Sequence, residues 1–257
     1  MIDPWSVVAG MMLVGFIISV PIAAFQGVPA RLHGEAWLWL ALSGGGNVVG
    51  LVVGYYAYRR GELSLVVPLI STEGAVAALI AIFAGESLSP AAGVGLLLAA
   101  VGVCAASIPT GGTSNASTKS HLLTISLAFS AALVFGVSLY ATGRASAMLP
   151  AAWVVPAARV IGVAVITIPL AVRGRLRITR EAAPFVVASG ICEVVGFFAY
   201  SFGARHGIAV AAVLSSQFAA ITVAAAYFLF GERLTRLQLA GICTIIVGVS
   251  LLSAVNT

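Results

Sequence analysis

Charged residues are so sparse along this chain that its apolar positions fall into nine long runs, separated by short polar or glycine-containing stretches. The runs cover roughly residues 4–25, 36–57, 63–84, 90–108, 121–141, 151–172, 182–203, 207–230 and 236–254. Each approaches the roughly 20 residues that carry a helix across a bilayer. Backbone without water must close its own hydrogen bonds, as a helix or as a closed barrel. Long runs without period-2 alternation exclude the barrel. The pattern predicts an all-α protein, a polytopic transmembrane helix bundle. Short connections, such as Arg59 to Glu62 and Gly231 to Arg236, make successive helices antiparallel neighbours.

The pattern also repeats. Shifted back by 146 positions, Glu181 falls on Glu35, Gly190 on Gly44 and Gly196 on Gly50. The same shift places Gly231-Glu232 on Gly85-Glu86, Gly241 on Gly95 and Gly248 on Gly102, with no gap. At an offset of 148, Trp153 and Pro169 fall on Trp5 and Pro21. A period this long means two large units, not a solenoid. The expected division is a first repeat at 1–108, a Gly/Ser/Thr-rich linker at 109–120 and a second repeat at 121–257. The run at 121–141 has no counterpart in the first unit, so nine helices divide as four plus five. A first repeat without its first helix leaves one side of the bundle unpaired, which favours a start assigned one helix too late.

Composition settles the class. Apolar residues make up 61% of the 257 positions and charged residues 8%, with a mean hydropathy of +1.11. A soluble domain of this length needs far more charge on its surface. The net charge of +5 then concerns orientation and lipid headgroups. No basic stripe with interleaved aromatics exists for nucleic acid. Met1-Ile2-Asp3-Pro4 lacks the positive leader of a cleavable signal peptide. Cys104, Cys192 and Cys243 all lie inside apolar runs, and an odd number there argues for packing residues over disulfides or a metal. His33, His121 and His206 share no metal-like spacing, and no glycine-rich loop ends in Lys-Ser or Lys-Thr. No cofactor is expected. The sole lysine, Lys119, lies in the linker, which excludes an intramembrane Schiff base.

Three full charges stand deep in apolar runs: Glu73, Arg159 and Glu193. Each costs roughly 2.5–3.5 kcal/mol at a helix centre, so each should face the interior and find a partner. Glu193 is near mid-helix and its repeat-mate is Asn47, so the two should meet at the midplane. Glu193 is either a proton or substrate site or a structural partner of Arg159, and the functional reading is preferred. Arg159 either anchors a substrate carboxylate or pairs with a carboxylate of the protein. Glu73 follows Ser71 and Thr72 in a polar patch opposite Gln217, and Ser71 and Gln217 join the candidate substrate- or proton-binding set. Pro68 and Pro156 are expected to kink their helices beside a cavity. Tyr55, Tyr56, Tyr140 and Tyr200 read as interfacial belt residues, and Glu86 and Glu232 as caps of short turns.

Gly231-Glu232-Arg233-Leu234, followed by Gln238, Gly241 and Gly248, resembles the repeat ending of EamA-type transporters of the drug/metabolite transporter superfamily. Gly85-Glu86-Ser87-Leu88 with Gly95 and Gly102 is similar to the same ending in the first repeat. The resemblance spans essentially the whole chain. It implies ten helices in two inverted five-helix repeats around a central cavity, and export or exchange of small metabolites. This chain departs from it in lacking the first helix of the first repeat. Glu73 and Ala219 stand where that family often carries proline, which removes the usual source of a kink. Met11 stands where the second repeat has Arg159. Loop arginines and lysine, nine on one face against three on the other, put Met1 in the cytoplasm and Thr257 outside. The resemblance implies a cytoplasmic C-terminus, and the two disagree.

The expected function is secondary transport of a small metabolite, an amino acid or drug-like solute, across the cell membrane by alternating access. Protons are the candidate coupling ion. The alternatives are a flippase for a lipid-linked head group and a non-transporting scaffold. An intramembrane enzyme has little to work with, since the one aspartate, Asp3, precedes the first helix.

Overall fold

In a computed structural model, residues 3–27, 34–61, 63–106, 118–218, 221 and 236–255 are described. Every described element is helical. In the first repeat α1 spans Pro4–Gln26, α2 Gly34–Arg60, α3 Leu63–Ser71, α4 Glu73–Phe83 and α5 Pro90–Ala106. In the second, α6 spans Thr118–Met148, α7 Ala151–Gly162, α8 Ile168–Val172, α9 Ala183–Gly203, α10 Ile208–Ser215 and α11 Arg236–Val255. α3 and α4 form one broken span, as do α7 and α8 around a π-helical turn at Val163–Thr167. Among the described residues five helices are long and apolar enough to cross a membrane, at 4–26, 34–60, 122–148, 151–172 and 183–203. The 109–117 part of the expected linker, the second half of the run at 207–230, and Glu232 lie outside the described residues.

The duplication is visible as a pseudo-twofold in the packing. Repeat-mates are five spans apart in an alternating chain, so they run in opposite directions and the repeats are inverted. α1 lies against α9, and α2 lies against α7, which is the same contact seen from the other repeat. α5 and α11 cross each other directly. A Cβ on Gly102 would stand 2.7 Å from the Gly241 carbonyl oxygen, and one on Gly248 would stand 2.7 Å from that of Gly95. These four glycines are two repeat-related pairs. Helices in lipid gain association energy from close backbone approach, because lipid offers apolar groups no penalty to escape. We expect Gly248→Ala to cost about 1–3 kcal/mol through overpacking. Gly93→Ala, where a Cβ would meet nothing within 4 Å, should leave the unfolding midpoint unchanged.

α2 and α6 make the other extensive contact. Gly46 and Gly50 admit the Ser138 and Phe135 side chains, whose atoms would lie 2.9 and 2.6 Å from added Cβ atoms. The seam is tied by Ser43–Thr142 at 2.6 Å and by the Ser138 hydroxyl donating to the Ser43 carbonyl at 2.7 Å. α6 continues to Met148, past the expected end near 141. Its extra turns carry Thr142, Ala145 and Ser146, all buried on the bundle side, and Pro150 follows. Small buried residues extend a helix as well as large apolar ones do, but they add little hydropathy.

α3 and α7 run through Pro68 and Pro156, and neither proline marks a break in its span. The first break is at Thr72, whose hydroxyl and backbone N–H both donate to the Leu69 carbonyl, at 2.7 and 3.3 Å. The matching break is at Ser216-Gln217, after α10. The π-helical turn widens the ladder just ahead of Pro169, which has no N–H to donate. Glu73 thus sits at a helix break without the family's proline. The cysteines are not packing residues either: all three are free and exposed on the outer surface. Finally, Tyr55 and Tyr200 are not belt residues but turn inward.

Candidate functional site

The broken and glycine-rich segments converge on one hollow. It has a volume of about 450 Å³ and both repeats line it. α2 contributes Asn47, Leu51, Gly54, Tyr55 and Tyr58, a stripe with helical spacing. α9 contributes Glu193, Gly196, Phe197 and Tyr200, which are the 146-shifted positions of Asn47, Gly50, Leu51 and Gly54. Ile70 and Glu73 enter from the break at Thr72, Phe135, Ser138 and Leu139 from α6, and Ser215 and Phe218 from the opposite break. A broken helix exposes backbone ends to a cavity where an unbroken one would close the space.

Behind the wall lies the buried pair. Arg159 is fully buried on α7, and its Nη1 donates to Glu193 Oε1 at 2.7 Å. The same nitrogen lies 3.5 Å from Asn47 Oδ1 and 3.4 Å from the Met12 sulfur. The guanidinium carbon stands 4.8 Å from the centre of the Phe197 ring, so a cation–π contact supplements the carboxylate. Arg159 Nε and Nη2 and Glu193 Oε2 are buried and without hydrogen-bond partners among the described residues. α1 seals the guanidinium from the far side: a Cβ on Gly15 would lie 2.8 Å from Arg159 Cδ and 3.2 Å from Nε. A single ion pair rarely repays the desolvation of both charges, so this one argues for a positional role more than for stability.

Glu73 differs. Among the described residues the ion pairs are Arg159–Glu193 and Arg144–Glu35, so Glu73 has no cation of its own. It is the first residue of α4, where the positive end of the helix dipole favours a carboxylate. Gly74 beside it packs on the Ala212 carbonyl and the Ser216 side chain, which brings the two breaks into contact. Of the six residues singled out from the sequence, Asn47, Glu73 and Glu193 line the hollow and Arg159 is one layer behind. Ser71 is buried but is not in the lining. Gln217 donates back to the Val213 carbonyl at 2.8 Å and also lies outside it. The aromatic walls were missed, although the 47/51/54/55/58 spacing on α2 was there to be read.

One end of the bundle is fastened across the repeats. Both carboxylate oxygens of Glu86 accept backbone N–H groups at the start of α10, from Ile208 and Ala209, each at 3.1 Å. The expected cap is therefore formed on a helix of the other repeat. Glu86→Ala should cost about 1–2 kcal/mol, read from the thermal midpoint, with Glu86→Gln between it and wild type. Among the described residues no group of three metal-ligating side chains is found.

A profile of the EamA-like transporter family matches the chain twice, over residues 1–108 and 122–254. A solved structure, titled only as a crystal structure of a protein, superposes with a TM-score of 0.79 at 17% identity. The match covers 99% of this chain and 90% of the other. At that identity it speaks for the fold alone. No curated protein matches.

Proposed function

The chain belongs to the EamA-like transporter family, and from that premise we propose that it is a secondary transporter which exposes its mid-membrane hollow to one side at a time. The two halves, 1–108 and 121–257, are the moving bodies and 109–120 the joint between them. Glu73 and Glu193 are the substrate- or proton-binding carboxylates, with Asn47 beside them and Arg159 holding Glu193 in place. Ser71 and Gln217 shape the breaks without meeting the solute. Protons drive the cycle, and the cell membrane is its site. The observation that carries this reading is Glu73 itself: a carboxylate without a cation among the described residues, at a helix break, in a hollow lined by both repeats. A scaffold has no use for such an expensive group.

The test needs no substrate. In a chain with Cys104, Cys192 and Cys243 replaced by Ser, Leu51→Cys places one thiol in the wall of the hollow. A membrane-impermeant maleimide applied to sealed vesicles of each orientation should label it from both sides, with opposite responses to an imposed pH gradient. Labelling from one side only, whatever the gradient, contradicts alternating access.

A further inference from the structure

The wall of the hollow carries charge of one sign. Among the described residues that line it there is no arginine, lysine or histidine. Arg159 is the one deep cation in the sequence, and it is not available to a solute. It is fully buried, bonded to Glu193 at 2.7 Å, closed off by Phe197 on one face and by Gly15 of α1 behind. Arg159 and Glu193 cancel, and the remaining charge is that of Glu73. A negative hollow of this kind disfavours any solute with an unshielded carboxylate or phosphate, because no group in reach would compensate it.

The remaining surface points the same way. Tyr55, Tyr58, Phe135, Phe197, Tyr200 and Phe218 line the same hollow as Glu73. Ring faces attract cations, most strongly where water is displaced. They also offer apolar area, and about 450 Å³ lies in the range of small-molecule sites, roughly 300–1,000 Å³. Resting on the transport reading above, we propose that the solute is an organic cation with an aromatic or apolar body, held by Glu73 and the surrounding rings, and not an amino acid or an organic anion. A proton on Glu73 and the cation then exclude each other, since either one neutralises the same carboxylate.

Three probes that share a phenylethyl unit and differ in charge decide this. They are trimethyl(2-phenylethyl)ammonium, phenylalanine and 3-phenylpropionate, titrated calorimetrically onto the full chain in lipid nanodiscs. The cation should bind at least about tenfold more tightly than the other two. Glu73→Gln should weaken it by a similar factor, and a pH below neutral should weaken it in the wild type but not in the variant. Equal or tighter binding of phenylalanine or phenylpropionate overturns the proposal. So does a cation that fails to bind, or whose binding ignores Glu73→Gln. The Leu51→Cys labelling is independent of these outcomes. If access alternates and the cation does not bind, the substrate class falls and the transport reading stands. If the cation binds and access does not alternate, the reverse holds.

Discussion

Glu73→Gln is expected to abolish pH-dependent transport while leaving the fold at least as stable as before. The amide keeps the shape of the side chain and removes its charge. In the native protein that charge has no ion-pair partner among the described residues, so its ionised form bears the desolvation cost nearly alone. Removing it should hold the thermal midpoint steady or raise it. Function should suffer in the opposite sense. If proton and solute compete for one carboxylate, the coupling between them is lost with it, and coupling energies of this kind correspond to roughly 5- to 150-fold in affinity. Flux into proteoliposomes should lose its dependence on an imposed pH gradient. A variant that transports normally with unchanged pH dependence would remove Glu73 from the mechanism.

Arg159→Leu is expected to be the most destabilising single change in the hollow. It leaves Glu193 at mid-membrane with no cation, and breaking a buried pair from one side typically costs about 3–5 kcal/mol. The guanidinium also fills space between Met12, Gly15 and Phe197, so its packing is lost too. The double variant Arg159→Leu with Glu193→Leu should recover most of that stability, because no charge is then stranded. It should not recover transport. Chemical unfolding of the four proteins in the cycle measures both claims, with a favourable coupling between the two positions as the expected outcome. Equal stability of the single and double variants would show that the pair is not what holds α7 to α9.

Deep charges were legible, because each stands out against tens of apolar neighbours. Cost and the repeat relation left the pairing of Arg159 with Glu193 as the less preferred of two alternatives and put Asn47 at the same depth. The structure has the pair formed with Asn47 beside it. The duplication was legible from the repeated glycines, while the inversion came only with the family resemblance. The close crossing of Gly102 on Gly241 and of Gly248 on Gly95 was seen only in the structure. The inward tyrosines were not legible. Tyr55 lies three residues from Tyr58 and one from Tyr56, and only the rotation of α2 decides that Tyr55 and Tyr58 face the hollow while Tyr56 takes a hydrogen bond from Trp5. Rotation is set by Gly46 and Gly50 against α6, a contact across almost 100 residues of sequence. The helix breaks at Thr72 and Ser216-Gln217 were not read from the sequence, because proline is only one cause of a break. At Thr72 the hydroxyl joins the backbone N–H on the Leu69 carbonyl, and nothing in hydropathy records that. Ser71 and Gln217 were drawn into the candidate set by polarity, yet neither lines the hollow, and the Gln217 amide nitrogen donates back to Val213.

Transport through the hollow requires that water reach Glu73 from within the bundle, and carbodiimide chemistry measures that directly. Purified protein in sealed vesicles is treated with a water-soluble carbodiimide and glycine methyl ester, or with a lipid-soluble carbodiimide, and modification of Glu73 is quantified by mass spectrometry. A water-reachable hollow predicts that the water-soluble reagent modifies Glu73 and that Glu73→Gln removes the adduct. Modification by the lipid-soluble reagent alone would place the carboxylate against lipid and contradict transport through the hollow.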